Sequence, residues 1–143
     1  MPHVEAIHIG EHKLPAPLES VTEVEAVAGR GLRGDRKFDA FRQISIVSSE
    51  ELAEAAAAWG GEIPVGATRR QITISDGRFN RTPGTIIRLG EVEVEVNGDC
   101  SPCREMSETI GPDVREHLRY RAGITGSVVK GGTIRVGDQV EIN

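Results

Sequence analysis

Residues 92 to 96 read Val-Glu-Val-Glu-Val. Apolar and acidic side chains alternate with the period of two that marks a strand with one face buried and one wet. The same alternation runs from Val21 to Ala28. Val4 to Ile9, Arg42 to Val47, Arg69 to Ile74 and Ile124 to Lys130 are further apolar runs of strand length. Glycines interrupt these runs, so no strand grows long. A chain cut in this way must pair many short strands. Gly84 to Val94 is echoed by Gly132 to Ile142, each an apolar segment, a glycine-plus-acid turn and an alternating strand. Small barrels use such units, because glycine at the bend lets the sheet curl.

Helices are few. Ser48-Ser49-Glu50-Glu51 fits a capping box, the hydroxyl at 48 answering the acid at 51, and opens an alanine-rich helix that ends at Gly60-Gly61. Trp59, the single tryptophan, is assigned to core packing. Pro112 to Arg119 reads as a short helix, and Arg104 to Ile110 can open another. His117, late in the former, is accounted for as a surface helix residue. With roughly seven or eight short strands, the expected fold is a β-dominated α+β domain. It is a small β-barrel-like structure with two or three short helices, one domain over residues 1–143.

No apolar run approaches the roughly 20 residues that span a bilayer, so no membrane association is expected. The N-terminus lacks the features of a signal peptide, and the expected location is cytoplasmic. There the two cysteines are expected as free thiols. A net charge of −5 argues against general affinity for nucleic acid. Positive charge is carried by 14 Arg against 3 Lys. Arginine suits planar anions such as phosphate, although codon bias explains the skew equally well.

Two loops can carry chemistry. Gly29-Arg30-Gly31-Leu32-Arg33-Gly34-Asp35-Arg36 is flexible and basic, and can either cradle an anion or form a surface turn with solvated arginines. It is neither a P-loop nor a dinucleotide fingerprint. Asn97-Gly98-Asp99 ends the Val-Glu strand and leads to Cys100-Ser101-Pro102-Cys103-Arg104. Pro102 stiffens this loop, and a following helix N-terminus with Arg104 alongside favours a thiolate. A lone C-x-x-C lacks the four ligands of a structural zinc site, and His3, His8, His12 and His117 are not spaced as partners. A thioredoxin-type pair belongs after the first strand of a βαβ unit, not late in a β-rich chain. No serine nucleophile elbow or histidine base for a cysteine protease is evident. Arg69 and Arg70 stand at the start of a strand, where alternation lets at most one of them face a given pocket. A reactive thiolate among arginines suits a soft metal or a carried sulfur beside a phosphorylated ligand.

In order along the chain, these pieces resemble the MOSC domain, the C-terminal domain of molybdenum cofactor sulfurases, which also occurs as small stand-alone bacterial proteins. The resemblance rests on Gly31 to Arg36, Arg42 to Val47, Arg69 to Ile74, Gly90-Glu91-Val92 leading to Ser101-Pro102-Cys103, Gly126 to Val129, and Gly132 to Val140. It implies a barrel-like fold and the molybdenum cofactor (molybdopterin) as ligand. It implies Cys103 as the catalytic residue, binding molybdenum or carrying sulfur. Gly34, Asp35, Arg36, Arg69, Arg70, Ser101 and Arg104 are the implied cofactor-binding residues. Gln71 stands where the family usually has Asn. Pyridoxal phosphate is not expected in this chain. The implied activity is sulfur transfer or a molybdenum-dependent reduction of N-hydroxylated compounds. A molybdoenzyme, a sulfur donor or an electron-transfer protein is the implied partner. The alternative is a non-enzymatic accessory module that binds a molybdoenzyme or its cofactor, with both cysteines buried.

Overall fold

The structure, a computed structural model, describes residues 1–12 and 17–142, and only the backbone of residues 104 and 105. Residues 13–16 of the expected loop from Gly10 to Pro17 fall outside the described residues. Eleven strands and three helices follow one another: β1 (Val4–Ile9), β2 (Glu19–Val21), β3 (Glu23–Val27), β4 (Gly31–Leu32), β5 (Ile44–Ser48), α1 (Ser49–Trp59), β6 (Ile72–Ile74), β7 (Ile86–Leu89), β8 (Val92–Asp99), α2 (Arg104–Thr109), α3 (Val114–His117), β9 (Ile124–Lys130), β10 (Gly132–Arg135) and β11 (Val140–Ile142). This is a β-dominated α+β architecture with three short helices.

Eight strands form one mixed sheet in the order β11-β7-β8-β9-β5-β6-β1-β2. The parallel pair β5–β6, joined through α1, is its one departure from antiparallel pairing. The sheet curls until the start of β1 meets the approach of β11. Val4 N donates to the Asp138 carbonyl at 2.8 Å, Gly137 N to the Val4 carbonyl at 2.8 Å, and Val140 N to the Pro2 carbonyl at 2.9 Å. With the His3–Gln139 bridge, these bonds stitch the start of β1 to the approach of β11. β10, β3 and β4 form a separate three-stranded sheet.

The alternation in β8 does what its period predicts. Val92, Val94 and Val96 are buried, while Glu93 and Glu95 point outward. They join Val4, Ile7, Ile44, Ile46, Ile72 and Ile74 in one apolar interior. All five residues of β5 are buried, because α1 covers its other face. There Val47 packs with Leu52, Ala55, Met106, Val114, Leu118 and Ala122 in a second apolar cluster. Trp59 packs against this cluster, and its indole N–H donates to the Pro112 carbonyl at 2.7 Å.

Several boundaries differ from the sequence expectation for physical reasons. The alternating run from Val21 to Ala28 breaks at Thr22, whose carbonyl accepts from Val136 N, and its two halves enter different sheets. The glycine-rich loop contains β4, which pairs with β3. The second helix contracts to α3. The helix at 49–59 forms without the capping box: Ser48 Oγ donates to the Gly77 carbonyl at 2.7 Å, and Glu51 pairs with Arg81. Tertiary partners have displaced the local ones. The two echoed segments also diverge. β7 and β8 form a tight hairpin across Leu89–Val92, whereas β10 pairs with β3 and β11 with β7.

Candidate functional site

Three segments converge beside α2: residues 36–40, residues 67–70, and the turn from Cys103 into the helix. They enclose a cavity of about 450 Å³ lined by Arg36, Lys37, Arg69, Arg70, Cys103 and Met106, with Ala40, Ala67, Thr68 and Thr109 between them. No acidic side chain lines it among the described residues.

The loop from 34 to 37 is held by a buried carboxylate. Asp35 accepts from Gly10 N, Lys37 N and Arg36 Nη1, each at 3.0 Å, and from Gln71 Nε2 at 2.6 Å. Gln71 is fully buried, and its Oε1 accepts from Ser45 N at 2.7 Å and Ser45 Oγ at 3.0 Å. Every polar atom of this bridge has a partner, as burial requires. Asp35 thus fixes the backbone that presents Arg36 and Lys37. Arg36 Nη2 reaches the Arg69 carbonyl at 3.5 Å.

Arg69 and Arg70 both line the cavity, against the expectation from strand alternation. β6 begins only at Ile72, and Arg69 adopts φ +59°. Period-two geometry does not extend to a residue in the left-handed region. The two arginines have different work. Arg70 is buried, and its guanidinium donates to the carbonyls of Ala122 at 2.7 Å, Ser101 at 3.2 Å, and Thr68 and Cys100 at 3.4 Å. It ties the cysteine loop to the barrel. Next to Ala122, Gly123 passes so close to Ile46 that a Cβ there would collide with the Ile46 carbonyl. Arg69 is half-buried. Burial lowers its pKa, with Arg36 adding to the effect and Cys103 and Asp35 opposing it.

Cys103 is exposed and is the N-cap residue of α2, with extended backbone and no side-chain cap bond. Its sulfur is therefore not engaged by the helix it starts. Cys100 is buried, so the cysteines differ sharply in access. Lys37 was not singled out from the sequence. It lies half-buried in the cavity wall, and burial pushes its pKa below 10.5. Cys100 and Asp35 pull it upward, while Arg70 and Arg36 push it down. Its adjacency to Arg36 was the one available signal.

The remaining expected site residues lie apart from this cavity. Gly34 lines a shallower depression of about 390 Å³ with Glu23, Glu25 and Arg33. Ser101 lines a wider depression of about 720 Å³ with Asp113, Arg115 and Arg119. Asp35 is interior and does not line the cavity. The side chain of Arg104 lies outside the described residues. No group of three or more His, Cys, Asp or Glu side chains is placed to hold a metal among the described residues. No helix there is long and apolar enough to cross a membrane.

Comparison with known families matches the MOSC domain over residues 33–141. The chain belongs to the MOSC domain family, which is associated in general with the molybdenum cofactor. Among solved structures, the YuaD protein from Bacillus subtilis superposes with a TM-score of 0.83 at 22% identity, covering 98% of this chain and 94% of that one. YiiM from Geobacillus stearothermophilus gives a TM-score of 0.72 at 16% identity, covering 100% and 75%. YiiM from Escherichia coli gives 0.72 at 18%, covering 100% and 70%. These similarities establish the shared fold. No curated protein matches by sequence.

Proposed function

We propose that this protein binds the molybdenum cofactor in the cavity beside α2 and carries sulfur on Cys103 for transfer to it. The observation that carries this reading is an exposed thiol on a cavity walled by Arg36, Lys37, Arg69 and Arg70 without a lining acid among the described residues. The residues fit such a group. Arg36, Lys37 and Arg69 would hold its phosphate by charge-assisted hydrogen bonds. Ala40, Ala67 and Met106 offer an apolar wall of the kind a flat ring system requires. When bound, the cofactor supplies a metal centre that accepts sulfur or changes oxidation state.

The protein's own part is positional and nucleophilic. Arg70 fixes the carbonyls of Cys100 and Ser101, so the loop carrying Cys103 keeps its place. Arg69 lines the same cavity as Cys103 and puts a cation on the wall that the sulfur shares. As a thiolate, Cys103 can attack the sulfane sulfur of a donor persulfide, whose own thiolate leaves, and so become a persulfide. A thiol reductant attacking its inner sulfur then releases the outer one as hydrosulfide, with a disulfide as the oxidised product. A second reading is that the Cys103 thiolate itself ligates the metal of a reductase acting on N-hydroxylated compounds. The absence of a three-residue ligand cluster among the described residues suits a metal needing a single protein ligand. The accessory-module alternative expected two buried cysteines, and Cys103 is exposed.

The test is purification from a host that makes molybdopterin, followed by metal analysis, pterin fluorescence and intact mass. The carrier reading expects pterin retention and a persulfide on Cys103, both lost in Cys103→Ala. Molybdenum in the protein without any persulfide would favour the reductase. Protein holding neither pterin nor sulfane sulfur would overturn both.

A further inference from the structure

The basic wall of the cavity hangs on two different supports. Arg36 and Lys37 follow β4, which pairs with β3 in the three-stranded sheet. Arg69 and Arg70 precede β6, which lies in the eight-stranded sheet. Like charges on separate supports push one another apart, so their spacing has to be fixed. Arg36 Nη2 reaches the Arg69 carbonyl only at 3.5 Å, the outer edge of hydrogen-bond range. The short bond between the two segments is made in the interior, where Gln71 Nε2 donates to Asp35 Oδ2 at 2.6 Å. Asp35 directly precedes Arg36, and Gln71 directly follows Arg70.

Gln71 is built as a rigid spacer. It is fully buried and does not line the cavity. Its backbone N–H donates to Ser45 Oγ at 3.1 Å, and its carbonyl accepts from His8 N at 2.7 Å. Its side-chain oxygen accepts from Ser45 N at 2.7 Å, so the amide is gripped at the end opposite Asp35. Asparagine there is one methylene shorter. A shortfall of about 1.5 Å takes a 2.6 Å bond out of range, unless the Asp35 loop moves and carries Arg36 and Lys37 with it. Gly10 holds that loop independently, through Gly10 N to Asp35 Oδ1 at 3.0 Å and Arg36 N to the Gly10 carbonyl at 2.7 Å. The fold therefore outlasts the loss of the spacer, while the spacing does not.

We propose that Gln71 is a positioning residue for ligand binding: it sets the spacing of Arg36 and Lys37 against Arg69, so that one tetrahedral oxyanion meets all three. This rests on the reading of the cavity as the site of a phosphorylated ligand. Arg36 already reaches the Arg69 backbone, so the two segments are close enough for one such group to touch both. Arg70 stays out of the contact, because its guanidinium is taken by the carbonyls of Ala122, Ser101, Thr68 and Cys100. Gln71 touches no ligand itself and acts through Asp35.

The experiment titrates the full chain with sodium sulfate by calorimetry at fixed ionic strength, sulfate being a tetrahedral dianion at every pH used. Gln71→Asn should stay folded and bind sulfate at least about tenfold more weakly, the loss of one hydrogen bond to a charged group. Gln71→Glu keeps the length and places two carboxyls at hydrogen-bond distance, where they share one proton. Its affinity should stay within about twofold of the parent's at mildly acidic pH. As pH rises and that proton is lost, repulsion should open the spacing, and the ratio to the parent should fall. A merely structural Gln71 would lower the melting temperature of both variants and leave sulfate affinity at the parent's level. That result would overturn the proposal and leave the cavity reading standing. If Gln71→Asn fails to fold, Gln71→Glu decides: a ratio that does not change with pH overturns the proposal. A parent that binds no sulfate, or binds it equally well after Arg69→Gly, would sink the cavity reading and this inference together.

Discussion

Two polar regions meet at residues 35–37 and differ in kind. On the interior side, Asp35, Gln71 and Ser45 are buried with their hydrogen bonds satisfied. On the cavity side, Arg36, Lys37 and Arg69 face one another with no acid lining the space among the described residues. The first arrangement stabilises, because each buried group has replaced its water. The second is one that stability alone would not select, because like charges crowd a partly dry wall. The lowered pKa values of Lys37 and Arg69 record that crowding and burial. An anion would relieve it. The first region is scaffold and the second is poised for a ligand, although a single peptide bond joins Asp35 to Arg36.

Substitutions can separate the two. Asp35→Ala should cost most, about 3–5 kcal/mol, since it leaves the Gln71 amide without its acceptor in the interior and the Arg36 guanidinium without its carboxylate partner at the cavity wall. A urea melt would show the loss, and a midpoint near the parent's would mean that the bridge is not what holds the loop. Arg70→Ala should cost about 1.5–3 kcal/mol by leaving the carbonyls of Ala122, Cys100 and Ser101 without their donor. The cysteine loop should loosen with it, so that Cys100 reacts faster with a thiol reagent.

On the cavity side the order of effects reverses. Arg69→Gly should keep stability within about 1 kcal/mol of the parent, because glycine accepts the positive φ at that position without strain. Its affinity for a phosphorylated pterin should nevertheless fall about tenfold, read by fluorescence titration. Lys37 makes binding depend on pH. Its pKa in the folded protein lies below the ordinary 10.5. Folding therefore favours the neutral amine, and the stability cost of the charged form is present below the folded pKa and relieved as pH rises through it. Anion affinity follows the opposite sign, being full while Lys37 is protonated and declining as pH rises towards 10.5. Lys37→Met should flatten that decline. Cys103→Ala should change stability least, within about 0.5 kcal/mol, as expected for an exposed side chain outside the packed clusters.

Much of the scaffold is legible in local pattern. The Val-Glu alternation gives β8 and its inward face. The alanine run and Gly60 give α1, and Gly90-Glu91 gives the β7–β8 hairpin. Its echo at Gly137-Asp138 misleads, because β10 pairs with the distant β3 and β11 with β7 rather than with each other. The capping box at 48–51 misleads for the same reason, a distant partner outcompeting a local one. In the site, Cys103 stands out through Pro102 and the helix that follows it. Lys37 does not, because a lone lysine in a basic loop gives no sign of which way it faces.

The chain's own order of residues determined the inward face of β8, the chief helix, the β7–β8 hairpin and the membership of the MOSC family. Tertiary structure alone decided that Asp35 is interior while Arg36 and Lys37 line a cavity. It set Arg70 to hold a loop and Arg69 to face a ligand space, and it buried Cys100 while leaving Cys103 open. The reason is range: period and turn chemistry act over a few neighbouring residues, whereas burial and charge pairing depend on partners brought together from across the chain.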